Sequence, residues 1–228
     1  MKKIILAILI VLFSFQFALA GPQGRSGVTA QTIINNARSL FLNEDTAVMW
    51  TDAVLLSALN YGIMQIPALT KCTEATTQIT LTAGVSEYGL SGVSYISVEK
   101  VMYSGVTTDY TDDKPSERKD ISNLSDGEDI EQPVRYATWN DNVYLDPVPR
   151  TTDENIVVFY VSLPSGVTLT QEIPLPAIYD YALTVFVASK AFKRDGKMNR
   201  SKALEDEYLL ELSRYSADLV ERLRTNEK

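Results

Sequence analysis

The chain has 228 residues, 45% of them hydrophobic, enough for one compact domain or two small ones around a real core. It contains no histidine and a single cysteine, Cys72. Those two counts remove the usual general base, the Ser–His triad, the commonest zinc ligand and any internal disulfide framework. With 29 acidic against 21 basic side chains the net charge is −8, which argues against capture of nucleic acid by a basic surface. An acidic wall that DNA slides past is compatible with it.

The first twenty residues carry Lys2 and Lys3, an apolar run from Ile4 to Phe13, and then Ala18, Leu19 and Ala20. That is the pattern of a secretory signal and predicts a mature start at Gly21. Ser14 and Gln16 keep the run below spanning length; the plainer alternative is an apolar N-terminal helix docked on a partner. Residues 21–27, GPQGRSG, form a flexible lead. Thr29 is placed to cap a first helix whose apolar face is Ile33, Ala37, Leu40 and Phe41. After an acidic turn, Trp50 and the cap Thr51 open a second helix. Asp52 favours its positive end, Leu55, Leu59, Ile63 and Ile66 form its buried stripe, and Pro67 ends it.

The period then shortens to two. Ile79 and Leu81, a turn at Ala83 and Gly84, and Tyr88 and Leu90 read as a hairpin. Residues 95–105 make another strand, and residues 135–149 make two strands around Asn140, Asp141 and Asn142, closed by Pro147 and Pro149 as at a sheet edge. Residues 154–164, ENIVVFYVSLP, are the most strongly β segment, which brings the expected strands to about five or six. Cys72 suits a small buried apolar position.

Pro174 and Pro176 stop the strands and start a helix that is apolar nearly all round, from Ala177 through Ile178, Ala182, Val185, Ala188 and Phe192. Such a helix is central, with Tyr179, Tyr181, Phe186 and Phe192 in the core. Lys193, Arg194, Asp195 and Gly196 close it. The last helix spans residues 199–224, with Leu204, Tyr208, Leu212, Tyr215, Leu219 and Leu223 along one stripe. Tyr208 and Tyr215 suit either a subunit interface or packing within the chain. The expected fold class is α+β. An antiparallel helical bundle (residues 28–70 and 174–226) carries an inserted antiparallel β domain (residues 76–170).

Chemistry is sparse. The serines in SGVS and PSGV lack a nucleophile elbow, and nothing places two carboxylates across a cleft as a glycosidase requires. DDKPSERKD and DGEDIE lack the ligand spacing of a calcium loop. No catalytic residue, metal site or cofactor is expected.

In order and pattern the chain resembles the head-to-tail connector adaptors of tailed bacteriophages, including the podovirus-type tail adaptors. Residues 28–66 resemble their opening helix, acidic turn and tryptophan-led helix. ITLTAGVSEYGL resembles their hairpin, and VYLDPVP their strand ending in prolines. IPLPAIYDYALTVFVASKAFKRDG resembles their core helix, and the Leu204 to Leu223 stripe their closing one. The resemblance spans nearly all of residues 28–224. It implies a non-enzymatic virion protein assembled in the host cytoplasm. That protein is a homo-oligomeric, dodecameric ring at the head–tail junction, between the portal protein and tail or nozzle proteins, with DNA passing through its lumen and no specific nucleic-acid binding.

An adaptor needs no secretory signal, so the N-terminus keeps a second reading open, a secreted or periplasmic binding protein. On the adaptor reading the acidic stretch 109–131, with nine Asp or Glu against three basic residues, faces the channel through Asp112, Asp113, Glu117, Asp120, Asp126, Glu128 and Asp129. The plainer reading is a solvated surface loop. Glu211, Arg214, Tyr215, Asp218 and Arg222 are the expected face toward the portal or a neighbouring subunit.

Overall fold

A computed structural model describes residues 26–43, 49–104, 114–115, 117–120, 130–131, 133–150, 152 and 154–226. The signal-like segment 1–20 lies outside them. The chain divides into two compact units, one of Met1–Leu59 with Val167–Glu211 and one of Asn60–Gly166 with Leu212–Lys228. The class is α+β.

The first unit begins with a backbone zipper. Ser26 and Gly27, expected in a flexible lead, are instead part of ordered chain. The amide of Ser26 donates to the carbonyl of Leu175, Ile173 to Val28, Ala30 to Gln171 and Gln31 to Leu169. Two of these bonds satisfy amides at the start of helix α1 (Ala30–Ala37), which have no partner within the helix. Thr29 satisfies the next two. Its hydroxyl accepts from the Thr32 amide, as expected of a cap, and its carbonyl accepts from Thr32 and Ile33. Helix α1 buries Ala30, Ile33, Ile34 and Ala37, the i, i+3, i+4, i+7 set of one helix face. It then widens into a π turn (Arg38–Leu42) that ends on Asn43 in the left-handed conformation. The changed winding moves Leu40 off the apolar face, so Leu40 is 62% exposed rather than buried. Arg38 is buried in its place.

Helix α2 (Asp52–Thr70) contains Pro67 and runs three residues past it. Proline removes one amide, yet the following turn is held by other bonds. Thr70 Oγ1 donates to the Ile66 carbonyl (2.8 Å), and the Lys71 amide donates to Pro67 (2.8 Å). Leu55, Leu59, Ile63 and Ile66 are fully buried, and Cys72 just beyond the helix is half-buried rather than a core residue.

Helix α3 (Asp180–Arg194) follows a short 3-10 turn (Ala177–Tyr179) and buries every residue from Ala182 to Ser189. Helix α1 packs on it. Tyr179, Phe186 and Phe192 are core residues, whereas Ile178 and Tyr181, expected beside them, are half exposed. They fall on the solvent side of the helix entry. After Asp195 and Gly196 (φ +73°) comes helix α4 (Met198–Asn226), whose residues from Ser201 to Tyr208 pack on α3.

The second unit holds ten strand segments among the described residues, five of them five residues or longer. One sheet has the order β1 (Glu74–Thr80), β10 (Asn155–Ser162), β3 (Tyr95–Ser104) and β4 (Lys114–Pro115), all antiparallel. The other runs β2 (Glu87–Gly89), β8 (Asn142–Asp146), β7 (Arg135–Trp139) and β5 (Glu117–Arg118), the last pair parallel. Two-residue strands β6 (Ile130–Glu131) and β9 (Val148–Pro149) pair separately. Val101, Ile156 and Val158 of the first sheet share one core with Tyr136, Val143 and Leu145 of the second.

Two expectations change here. The segments 78–81 and 88–90 are not partners, because β1 pairs with β10 and β2 with β8, in different sheets. The turn between them is real, and Tyr88 holds it: its hydroxyl accepts from the Thr82 amide (2.9 Å) and lies within donating distance of the carbonyls of Thr82 (3.1 Å) and Val85 (3.0 Å). The proline-closed strand β8 is not at an edge but lies between β2 and β7. Pro147 follows the strand, so β8 loses no ladder amide, and Pro149 lies in β9, in the two-stranded sheet with β6. Asn140 and Asp141, both at positive φ, make the expected tight turn between β7 and β8.

Candidate interaction surfaces

Helices α3 and α4 form a pair tied along its length by different chemistries. The Phe186 ring packs on Tyr208 with centroids 4.9 Å apart at 51°. Ser189 Oγ donates to the Ser201 carbonyl (3.1 Å), deep in the pair. Lys190 Nζ reaches Glu205 (2.7 Å) and lies 4.7 Å from the centre of the Phe186 ring. That lysine holds the Glu205 carboxyl below its ordinary range, chiefly through the hydrogen bond. Tyr181 donates to Glu207 (2.5 Å), and this bond, then burial and the charges of Glu207 and Glu211, push its pKa up to about 12.

The start of α3 carries a titrating group. Ser26 Oγ donates to Asp180 Oδ2 (2.7 Å), but burial outweighs that bond and raises the Asp180 pKa. A raised carboxyl pKa means the native state holds its proton longer than the unfolded chain does. The stability this contributes is complete below the unfolded value, about 3.9, and is lost as pH rises through the native one. Asp180→Asn should therefore have a higher urea midpoint than the parent at pH 7, with the two converging near pH 4. A gap that widened on acidification would show the carboxylate held ionised instead.

The predicted interface residues sit on α4. Glu211 is buried, Arg214 exposed and Tyr215 half-buried, and all three are engaged in contacts. Tyr208 belongs to packing within the chain. The backbones of Asp218 and Arg222 continue the helix, while their side chains lie outside the described residues. Unforeseen on the same helix are Leu209 and Leu210, each 54% exposed.

Of the predicted acidic stretch, Asp112, Asp113, Asp126, Glu128 and Asp129 lie outside the described residues. The rest is not all loop: β4, β5 and β6 take part of it into sheets. Glu117 opens β5 opposite Arg135, and Asp120 is exposed. Asp120 lines a groove of about 380 Å³ with Arg118, Lys119, Thr138 and Trp139. The groove sets two cations and one carboxylate beside an aromatic ring, and Trp139, at 64% exposure, had no periodic signal to mark it. On the other sheet, a groove of about 450 Å³ runs over Thr76, Glu99, Lys100 and Phe159. Lys71 and Ser97 bond to the Glu99 carboxylate there and hold its pKa down.

Among the described residues, no group of three or more Cys, Asp and Glu side chains is arranged to hold a metal ion. A family model described as SU10 adaptor protein matches residues 28–226, from two residues before α1 to the end of α4. No curated protein matches the chain.

Proposed function

The chain belongs to the SU10 adaptor protein family, a family of bacteriophage structural proteins, and from that premise we propose that it is a non-enzymatic ring joining the portal of the phage head to the tail. The observation that carries this reading is the extent of the match. It takes in every helix and sheet among the described residues, so it concerns nearly the whole chain rather than one motif. The ring is dodecameric, sits at the head–tail junction, and binds the portal on one side and tail or nozzle proteins on the other. The family match favours this over a secreted binding protein.

The test is the intact mass of the chain recovered from purified DNA-filled particles of its source. Recovery from particles is the expected result, and a mass beginning at Met1 or at Gly21 tells whether the apolar leader is retained. A chain found only outside the cytoplasm, beginning at Gly21, overturns the reading.

Arg214, Tyr215, Asp218 and Arg222, with Glu211, supply the face toward the portal or the neighbouring subunit. Asp112, Asp113, Glu117, Asp120, Asp126, Glu128 and Asp129 face the channel, where like charge keeps DNA phosphates from sticking. Neutralising Asp126, Glu128 and Asp129 together is expected to alter DNA retention or ejection; unchanged infectivity would count against a channel role.

A further inference from the structure

Strand β1 ends its sheet. It pairs with β10 on one side and, among the described residues, with no strand on the other. Two bonds that flank the ladder fix which of its backbone groups are left over. The Leu81 amide donates to Glu154 and the Ser162 amide to Thr73, so the odd-numbered residues of β1 are the ones bonded to β10. The amides and carbonyls of Glu74, Thr76, Gln78 and Thr80 therefore point away from the sheet, with successive residues about 7 Å apart, twice the strand rise. All four residues are exposed, and no described backbone group bonds to those amides and carbonyls.

A free strand edge is ordinarily defended by brevity, proline, a bulge or a cationic side chain. The other sheet edges here show such devices. Strand β2 has three residues, and β4 and β5 have two each, with Pro115 in β4 and Arg118 in β5. The part of β3 that β4 leaves open is bulged against β10, and Arg118 and the Tyr136 hydroxyl reach the carbonyls of Val98 (3.4 Å) and Glu99 (3.5 Å) there. Strand β1 has none of them. Its register against β10 runs seven residues without a shift, and it carries neither proline nor a basic residue. Thr76, Thr77, Ile79 and Thr80 are β-branched, as strand pairing favours.

We infer that this edge receives an extended arm of a different virion protein, added as one more strand beside β1. The inference rests on the ring reading above. A row of alternating N–H and C=O groups is matched by another polypeptide backbone, whereas DNA phosphates offer acceptors alone. A second copy is the wrong donor. Pairing β1 with its own counterpart is a two-fold contact that closes a dimer and not a ring, and the other described edges of a copy are shorter or bulged. The chemistry of the arm follows from the edge. Glu74 is the one charge on β1, in a chain of net charge −8, so a Lys or Arg stands opposite it. The groove of about 450 Å³ over Thr76 and Phe159 opens beside the same edge and takes an apolar side chain of the arm.

The test compares backbone hydrogen exchange of the purified chain with that of DNA-filled particles, labelled intact and read residue by residue after dissociation. In the free chain the amides of Ala75, Thr77 and Ile79 are expected to exchange slowly and those of Thr76, Gln78 and Thr80 fast. In particles the fast three are expected to slow at least tenfold; unchanged rates overturn the inference. A photoreactive benzoylphenylalanine in place of Gln78 then identifies the occupant. A product with a different virion protein is expected, and a product with a second copy, or none, overturns the assignment while leaving the adaptor reading intact. Absence of the parent chain from particles removes both. As a second readout, Gln78→Pro deletes a donor that the ladder to β10 does not use. It is expected to keep the unfolding midpoint of the parent yet lower incorporation at least tenfold, and normal incorporation overturns the proposed edge.

Discussion

Replacing Phe186 by alanine lowers the free energy of unfolding by about 3–5 kcal/mol, the range for removing a buried aromatic side chain from a core that cannot collapse around the gap. The site meets that condition. Phe186 is 1% exposed in the middle of a helix buried for eight consecutive residues, so no neighbouring surface is free to fold inward. Its ring also meets two further groups. Tyr208 stacks on it at a tilt, a geometry that contributes about 0.5–1.5 kcal/mol beyond area burial. The Lys190 ammonium sits over its face while bonded to Glu205. Truncation therefore removes the central contact between α3 and α4 as well as filled volume. Phe186→Leu, which keeps most of the volume, should recover much of the loss. Urea denaturation of both variants decides the matter: a loss below about 1 kcal/mol for the alanine variant would mean α3 is not the centre of its unit.

Arg38→Met is expected to cost about 3 kcal/mol, the lower end of the range for breaking a buried ion pair. Arg38 is nearly inaccessible, and its guanidinium performs two tasks at the start of α2. Nη2 donates to the Trp50 carbonyl (2.6 Å), and Nη1 lies 2.7 Å from Asp52 Oδ1. Methionine fills the space of the stem but leaves the carbonyl without its donor and the carboxylate without its partner. The lower figure applies because Asp52 is 39% exposed and water can take over part of its solvation. Lysine at position 38 should restore only part of the stability. A single ammonium lacks the flat fork that reaches a carbonyl and a carboxylate together. Full recovery with lysine, seen as a thermal midpoint equal to the parent's, would show that charge alone matters there.

What could be read from the residues followed from how local each signal is. The Thr29 cap, the all-apolar face of α3, the tyrosine and leucine stripe that opens α4 and the Asn140–Asp141 turn depend on neighbours within a few positions, and each is found in the structure. Strand pairing depends on distant chain. The alternation at Ile79 and Leu81 marks a strand equally well whether its partner is β2, nearby, or β10, where Ile79 pairs with Ile156. Burial of Arg38 was hidden for a related reason: a basic residue in a short helix ordinarily reads as solvent-facing, and only the π turn brings it inward. The contact surfaces were least legible. Leu209, Leu210, Tyr61 and Met64 lie off the periodic stripes of their helices, and periodicity alone gives no sign that they stay exposed. The charges on α4 and in residues 109–131 were conspicuous but carry no spacing rule that fixes a partner.

The zipper between residues 26–31 and 169–175 has a mechanical consequence. Ser26 lies opposite Leu175 and Gln31 opposite Leu169, so the two segments run in opposite directions. A pull on the chain upstream of Ser26, resisted by α3 beyond Leu175, acts at the same end of the ladder. It peels the bonds one at a time instead of shearing all of them together. Tension peels the Ser26 contact first and reaches the Gln31 amide, and with it the first turn of α1, only after the bonds in between have parted. Under such a pull the Ser26 bond therefore yields first, while the amides at the start of α1 are still held.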